Sequence, residues 1–118
     1  MLIEMVVRSK GKAILELDER SPKIAKKIYQ SLPLEAGANR WNEEVYFGIP
    51  LKLEDENPIP HSEMGDVSYW SPGSAFCIFF GQSQPVSPVN HIGRIKEGQD
   101  LFPRVEEGDR ITLRRKEE

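Results

Sequence analysis

Few side chains in this chain have the type and spacing for chemistry, and they fall in two stretches. One is "RWNEEVYF", residues 40–47, and the other is "GDVSYWSPGSAFCIFFG", residues 65–81. In the first, Glu43 and Glu44 are adjacent, so on a strand they point to opposite faces. Such a pair cannot act together on one substrate. One is expected in solvent and the other in an ion pair with Arg40 or a lysine. The functional version is a single buried Glu44 beside Tyr46 and Trp41, because lone buried carboxylates mark binding or titrating sites. In the second stretch Tyr69 and Trp70 alternate, so one enters a core and the other lies outside. The outer ring either lines a groove, where aromatic anchors give much contact for little entropy, or closes a small cluster under the loop "DENPIPHSEM". Cys77 has apolar neighbours, which raise a thiol's pKa, so it reads as a small hydrophobe and not as a nucleophile.

Other chemistries lack their residues. His61 and His91 are the only histidines. His61 and Glu63 could share one side of a strand, but they lie in a loop without the third ligand that zinc requires. No phosphate-cradling glycine loop, nucleophile elbow or paired-cysteine motif occurs. No metal and no cofactor are therefore expected.

The elements that must position these residues are mostly short strands. "LIEMVV" and "KAILEL" read as a hairpin turning near Gly11. Ser21 is a candidate N-cap and Pro22 suits a first helical turn. Ile24, Ile28 and Leu32 then form one apolar stripe, which predicts an amphipathic helix over about 22–32, ended by Pro33. "EEVYFGIPLKLE" reads as two strands or one bent at Gly48 and Pro50. "DVSYW", "AFCIFF", "NHIGRI" and "DRITLRR" are further strands, with a short helical turn near 98–104. In "AFCIFF", alternation puts Phe76, Ile78 and Phe80 on a face that fills a barrel. Ala75, Cys77 and Phe79 share the other face, which needs its own cover. The corner "WSPGS" is expected to be a type II turn with Pro72 second and Gly73 third, at positive φ. Together these predict a mainly β fold: a closed antiparallel barrel of about eight strands with one helix packed on it.

At 118 residues the chain fits one domain, 1–118, large enough to bury a core. A net charge of −3 argues against a nucleic-acid partner, which needs a basic surface. Basic residues gather at Arg110, Arg114, Arg115 and Lys116, but acids follow, as in a solvated chain end. One cysteine forms no internal disulfide. No run approaches the ~20 apolar residues of a membrane span. A cytoplasmic protein, monomeric or weakly dimeric, is the expectation.

These stretches resemble the cyclophilins, the peptidyl-prolyl isomerases. "GSAFCIFF" resembles their "GSQFFI" strand, "GKAILEL" their "G-x-x-x-F-E-L" strand, and "SPKIAKKI" their helix start. "YFGIP", "NHIGRI" and "DRITL" follow in the same order as "HRIIP", "VVFGKV" and the closing strand. The chain is more similar still to small prokaryotic cyclophilin-like proteins of unknown function that carry "W-x-E-E-x-Y-F" and "G-D-V-x-Y-W-x-P-G", here Trp41–Phe47 and Gly65–Gly73. The resemblance implies a cyclophilin-like fold. It places Phe47 where the isomerases carry their catalytic arginine, Ala75 at their glutamine, Cys77 at their pocket phenylalanine and Val89 near their strand histidine. Two functions follow. One is a non-catalytic module that holds a peptide segment or small ligand outside the barrel, on Trp41, Glu44, Tyr46, Phe47, Tyr69, Trp70, Phe79 and His91. The other is a divergent, weak isomerase in which Arg40 or His91 supplies the missing donor.

Overall fold

The computed structural model describes residues Met1–Glu118. The opening apolar runs form strands β1 (Leu2–Val7) and β2 (Gly11–Leu17), paired antiparallel from Leu2 opposite Glu16 to Val7 opposite Gly11. The period of two then selects the inward residues: Ile3, Met5 and Val7 from β1, and Ala13, Leu15 and Leu17 from β2. Helix α1 (Pro22–Ser31) follows, and Ile24, Ala25 and Ile28 join the same apolar cluster. Strands β3 (Leu34–Gly37), β4 (Asn39–Trp41), β5 (Glu44–Gly48) and the two-residue β6 (Pro58–Ile59) come next. β7 (Asp66–Trp70), β8 (Ala75–Phe79), β9 (Val89–Glu97) and β10 (Arg110–Lys116) complete the sheet.

The strand order is β3-β10-β1-β2-β9-β7-β8-β5-β4, with β6 beside β9. Every pairing is antiparallel. The two edge strands, β3 and β4, are separated in the chain only by Ala38. The sheet therefore wraps into a nearly closed barrel, mainly β, of nine strands where about eight were expected. Closure needs bends, and β9 supplies two. Its register shifts against β7 between Val67 and Ser68, and against β2 between Ile14 and Leu15. Such bulges raise local twist. Next to the first stands Gly93, where a Cβ would meet the Glu16 carbonyl oxygen at 2.3 Å, so only glycine lets β2 come this close.

Three expectations are corrected. Ser21 makes no capping bond, and its Oγ is buried without a partner. The carboxylate of Glu56 takes that place, accepting from the backbone N–H of Lys23 (3.1 Å) and Ile24 (3.0 Å). A full negative charge suits those unpaired donors and the positive end of the helix dipole. Phe80 lies past the end of β8 and is only half-buried, stacked on Phe102 at 6.1 Å with Arg40 over its ring. Phe76 and Ile78 fill the interior as expected. Finally, no second strand follows Gly48. Pro50 has no N–H for a ladder. The segment is held instead by the buried Tyr69 hydroxyl, which donates to the Leu51 carbonyl (2.8 Å) and accepts from the Leu53 N–H (3.0 Å).

Candidate functional site

The outer faces of β5, β7 and β8, with the first residue of β9, carry the only apolar cluster outside the barrel: Ala75, Cys77, Phe79 and Val89, with Tyr46 and Trp70 packed against it. Register explains why these residues meet. Tyr46 lies opposite Cys77, Glu44 opposite Phe79, and Trp70 opposite Ala75. Trp41 on β4 lies opposite Glu44 and extends the same face. Above this floor the loop between β8 and β9 brings Pro85 and Val86. Together they enclose a cavity of about 210 Å³, in which Glu44 is the one carboxyl group among mostly hydrophobic walls. Trp41 and Val86 stand at the mouth, 42% and 73% exposed.

Trp70 is fixed from two sides. Its indole N–H donates to the Ser87 hydroxyl at 2.7 Å. Its ring lies over Gly73, where a Cβ would fall 2.7 Å from the six-membered ring. This replaces the expected type II turn. Residues Ser71–Gly73 form a 3₁₀ turn, and the left-handed residue is Ser74, at φ 47°. Gly73 has no positive φ; what it supplies is room for the indole.

Glu44 is 9% exposed, and no cation pairs with it. Burial pushes its carboxyl above the usual carboxylate range, partly offset by the Cys77 thiol beside it. Burial also pushes the Cys77 thiol well up, with the Glu44 charge adding to the effect. The thiol therefore stays protonated, a weak donor to the Ala75 carbonyl oxygen at 3.8 Å and not a nucleophile. The adjacent Glu43 points away. Its carboxylate accepts from the Gln82 N–H at 2.7 Å.

Of the residues singled out in the sequence, Trp41, Glu44, Tyr46, Trp70 and Phe79 come together here. Phe47, Tyr69 and His91 do not. Phe47 stacks on Phe76 inside the barrel, with centroids 5.3 Å apart. The alternation of Val45, Phe47 and Ile49 against Glu44, Tyr46 and Gly48 carried that signal. Tyr69 is the core member of its pair. His91 is on the outer face but buried beneath the loop before β7. Its Nε2 bonds the His61 carbonyl at 2.8 Å, and its Nδ1 lies 2.7 Å from Ser68 Oγ and 3.7 Å from Asp66. A hydroxyl on an imidazole nitrogen is one mark of an activated nucleophile. Ser68 is wholly buried, however, so no substrate reaches it. Asp66 in turn lies 3.1 Å from the Arg20 guanidinium. Arg40, the other substitute donor, spends its guanidinium on the carbonyls of Asn42, Pro103 and Val105. Cys77 shares the outward parity of Phe79 on β8 and was legible on that ground, whereas Val89 stands at the start of β9, where no alternation on β8 reaches it. Pro85 and Val86 carry no local pattern that marks them.

No three His, Cys, Asp or Glu side chains converge in a way that fits a metal ion. No helix is long and apolar enough to cross a membrane.

Comparison with other proteins places the fold. The solution structure of the hypothetical protein AF2241 from Archaeoglobus fulgidus superposes with a TM-score of 0.81 at 34% identity. The match covers 98% of this chain and 95% of that one. The structure of McbB in complex with tryptophan superposes with a TM-score of 0.82 at 19% identity, over 98% of this chain but 45% of McbB. That likeness is one of fold alone. A search of the curated proteins finds no match. A family model described as cyclophilin-like matches residues 1–114. With that match and the barrel in hand, the chain belongs to the cyclophilin-like family.

Proposed function

We propose that the protein is a binding module for a small, largely apolar ligand, held in the cavity over β5, β7 and β8. The observation that carries this reading is the cavity itself: about 210 Å³, walled by two tryptophans, Tyr46 and Phe79, with one buried carboxylate. An apolar cavity of about 150 Å³ takes up benzene, so this one suits a single substituted ring. Pockets for drug-sized ligands start at roughly 300 Å³, and a peptide segment would need a longer groove. Convergence of apolar walls on one polar group is the usual layout of a ligand site. McbB, which shares this fold over 45% of its length, was solved in complex with tryptophan, a small aromatic molecule.

The isomerase reading gains nothing from the site. Phe47 faces the interior, so the outward positions nearby are Glu44 and Tyr46, and neither offers a cation to a twisting amide. A donor of that kind is worth roughly 10²–10³ in rate, and isomerase turnover is expected to be lower by at least that factor than in ordinary cyclophilins.

The test uses intrinsic fluorescence, because both tryptophans of the chain, Trp41 and Trp70, line the cavity. Titration with benzyl alcohol, a neutral one-ring probe, should give a saturable change, lost in Val89→Phe, which fills the floor. A change that stays linear, or one that survives Val89→Phe, overturns the proposal. A proline-peptide assay showing ordinary isomerase turnover would replace it with the enzyme reading.

A further inference from the structure

Resting on that reading of the cavity, we infer that its ligand is an amine, with a protonated nitrogen held by Glu44 and an apolar ring held among Trp41, Tyr46 and Trp70. Three acids in the protein are buried: Glu4, Glu44 and Asp66. Two have cations of their own. Glu4 accepts from Arg114 Nε at 2.6 Å, with Lys12 at 3.6 Å. Asp66 lies 3.1 Å from Arg20 and 3.7 Å from Arg94. Only Glu44 is without one, and it is the one that lines a cavity. A buried carboxylate accepts hydrogen bonds and donates none, and without a cation it is costly to keep charged. An ammonium entering the cavity supplies the missing charge, and the aromatic faces around it favour a cation a second time.

A metal ion would need further ligands, and Glu44 is the only carboxylate present. The surroundings add no competing charge. Cys77 from β8 is a protonated thiol, and Tyr46 shares the strand of Glu44. Trp41 from β4 and Pro85 and Val86 from the loop are uncharged. The raised carboxyl of Glu44 is consistent with a site completed by its ligand.

The experiment compares matched one-ring probes by tryptophan fluorescence and calorimetry: 2-phenylethylamine, 2-phenylethanol, 3-phenylpropionate and acetophenone. The amine is expected to bind at least about tenfold tighter than the alcohol at neutral pH, with the carboxylate weakest. Its affinity should fall as pH drops through the Glu44 titration, while that of the alcohol should not. In Glu44→Gln the ratio of amine to alcohol affinity should approach one, and Glu44→Asp should restore part of it. If the Gln variant fails to fold, the wild-type series and its pH dependence decide the matter. An alcohol or acetophenone that binds as tightly as the amine overturns the inference and leaves the cavity reading standing. So does an amine preference that survives Glu44→Gln. If no probe binds, the cavity reading falls and this inference falls with it.

Discussion

Glu44 costs the protein stability, and the sign follows from its titration. Burial raises its carboxyl above the ordinary 4.5, so the folded state binds that proton more tightly than the unfolded chain does. Its contribution is therefore most favourable below 4.5 and is lost as pH rises through the raised value. Glu44→Gln should stabilise the protein at neutral pH by about 0.5–2 kcal/mol, as substitutions at strained functional sites often do. The gain should vanish in melts run in acid. A variant no more stable than wild type at neutral pH would show that the charge is accommodated without cost. Gly73 is a second residue-scale case. Gly73→Ala must push the Trp70 ring aside, an overpacking cost of roughly 1–3 kcal/mol. The tryptophan emission should shift with it, whereas a purely conformational role for the glycine would leave emission unchanged. The sequence showed that a glycine mattered at this corner, but turn chemistry was the wrong reason. The right one depends on where the indole of Trp70 falls, and that needs the register of β7 on β8. Likewise, alternation said that one of Tyr69 and Trp70 faced inward without saying which.

At the scale of elements, local pattern worked where one strand or helix decided the matter alone. The helix stripe, the two faces of β8 and the opening hairpin all rest on periods of 3.6 or two residues. Helix α1 appeared over Pro22–Ser31, within a residue of the expected end. What failed was its cap. A serine before a proline is the usual local signal, but the donors of the first turn are met by Glu56, more than thirty residues away. Nothing in the sequence near Ser21 encodes that contact. The two residues should therefore separate in urea denaturation. Glu56→Ala should cost about 0.5–2 kcal/mol, the range for losing a helix cap. Ser21→Ala, which removes a buried hydroxyl without a partner, should be neutral or stabilising. The reverse order would return the capping role to Ser21. The other end of the helix shows the same long-range logic, since Arg115 on β10 donates to the carbonyls of Tyr29 and Gln30.

For the whole molecule, the question is what holds a barrel whose first and last strands are neighbours. β1 pairs along its full length with β10, from Leu2 opposite Lys116 to Val7 opposite Ile111. The barrel class was legible because many short strands with one helix allow few architectures. The seam between the chain ends was not, because strand order is a long-range property. Ion pairs reinforce that seam. Arg114 on β10 hydrogen-bonds Glu4 on β1, and this holds the Glu4 carboxyl below its ordinary 4.5. At the hairpin end, the Glu106 N–H and Lys10 hold the Asp109 carboxyl below 3.8. Both groups bind their protons less tightly when folded, so the stability they add is present above those ordinary values and is lost as pH falls through the lowered ones. The slope is opposite in sign to that of Glu44. Lowering the pH should then first relieve the cavity and afterwards loosen the seam, giving a melting temperature that passes through a maximum in mild acid. Glu4→Gln should cost about 1 kcal/mol at neutral pH, discounted for the half-exposed Arg114. It should also flatten the acid limb while leaving the limb due to Glu44 in place. Thermal melts over a pH series check this directly. An acid limb equally steep in Glu4→Gln would mean that the seam does not depend on that pair.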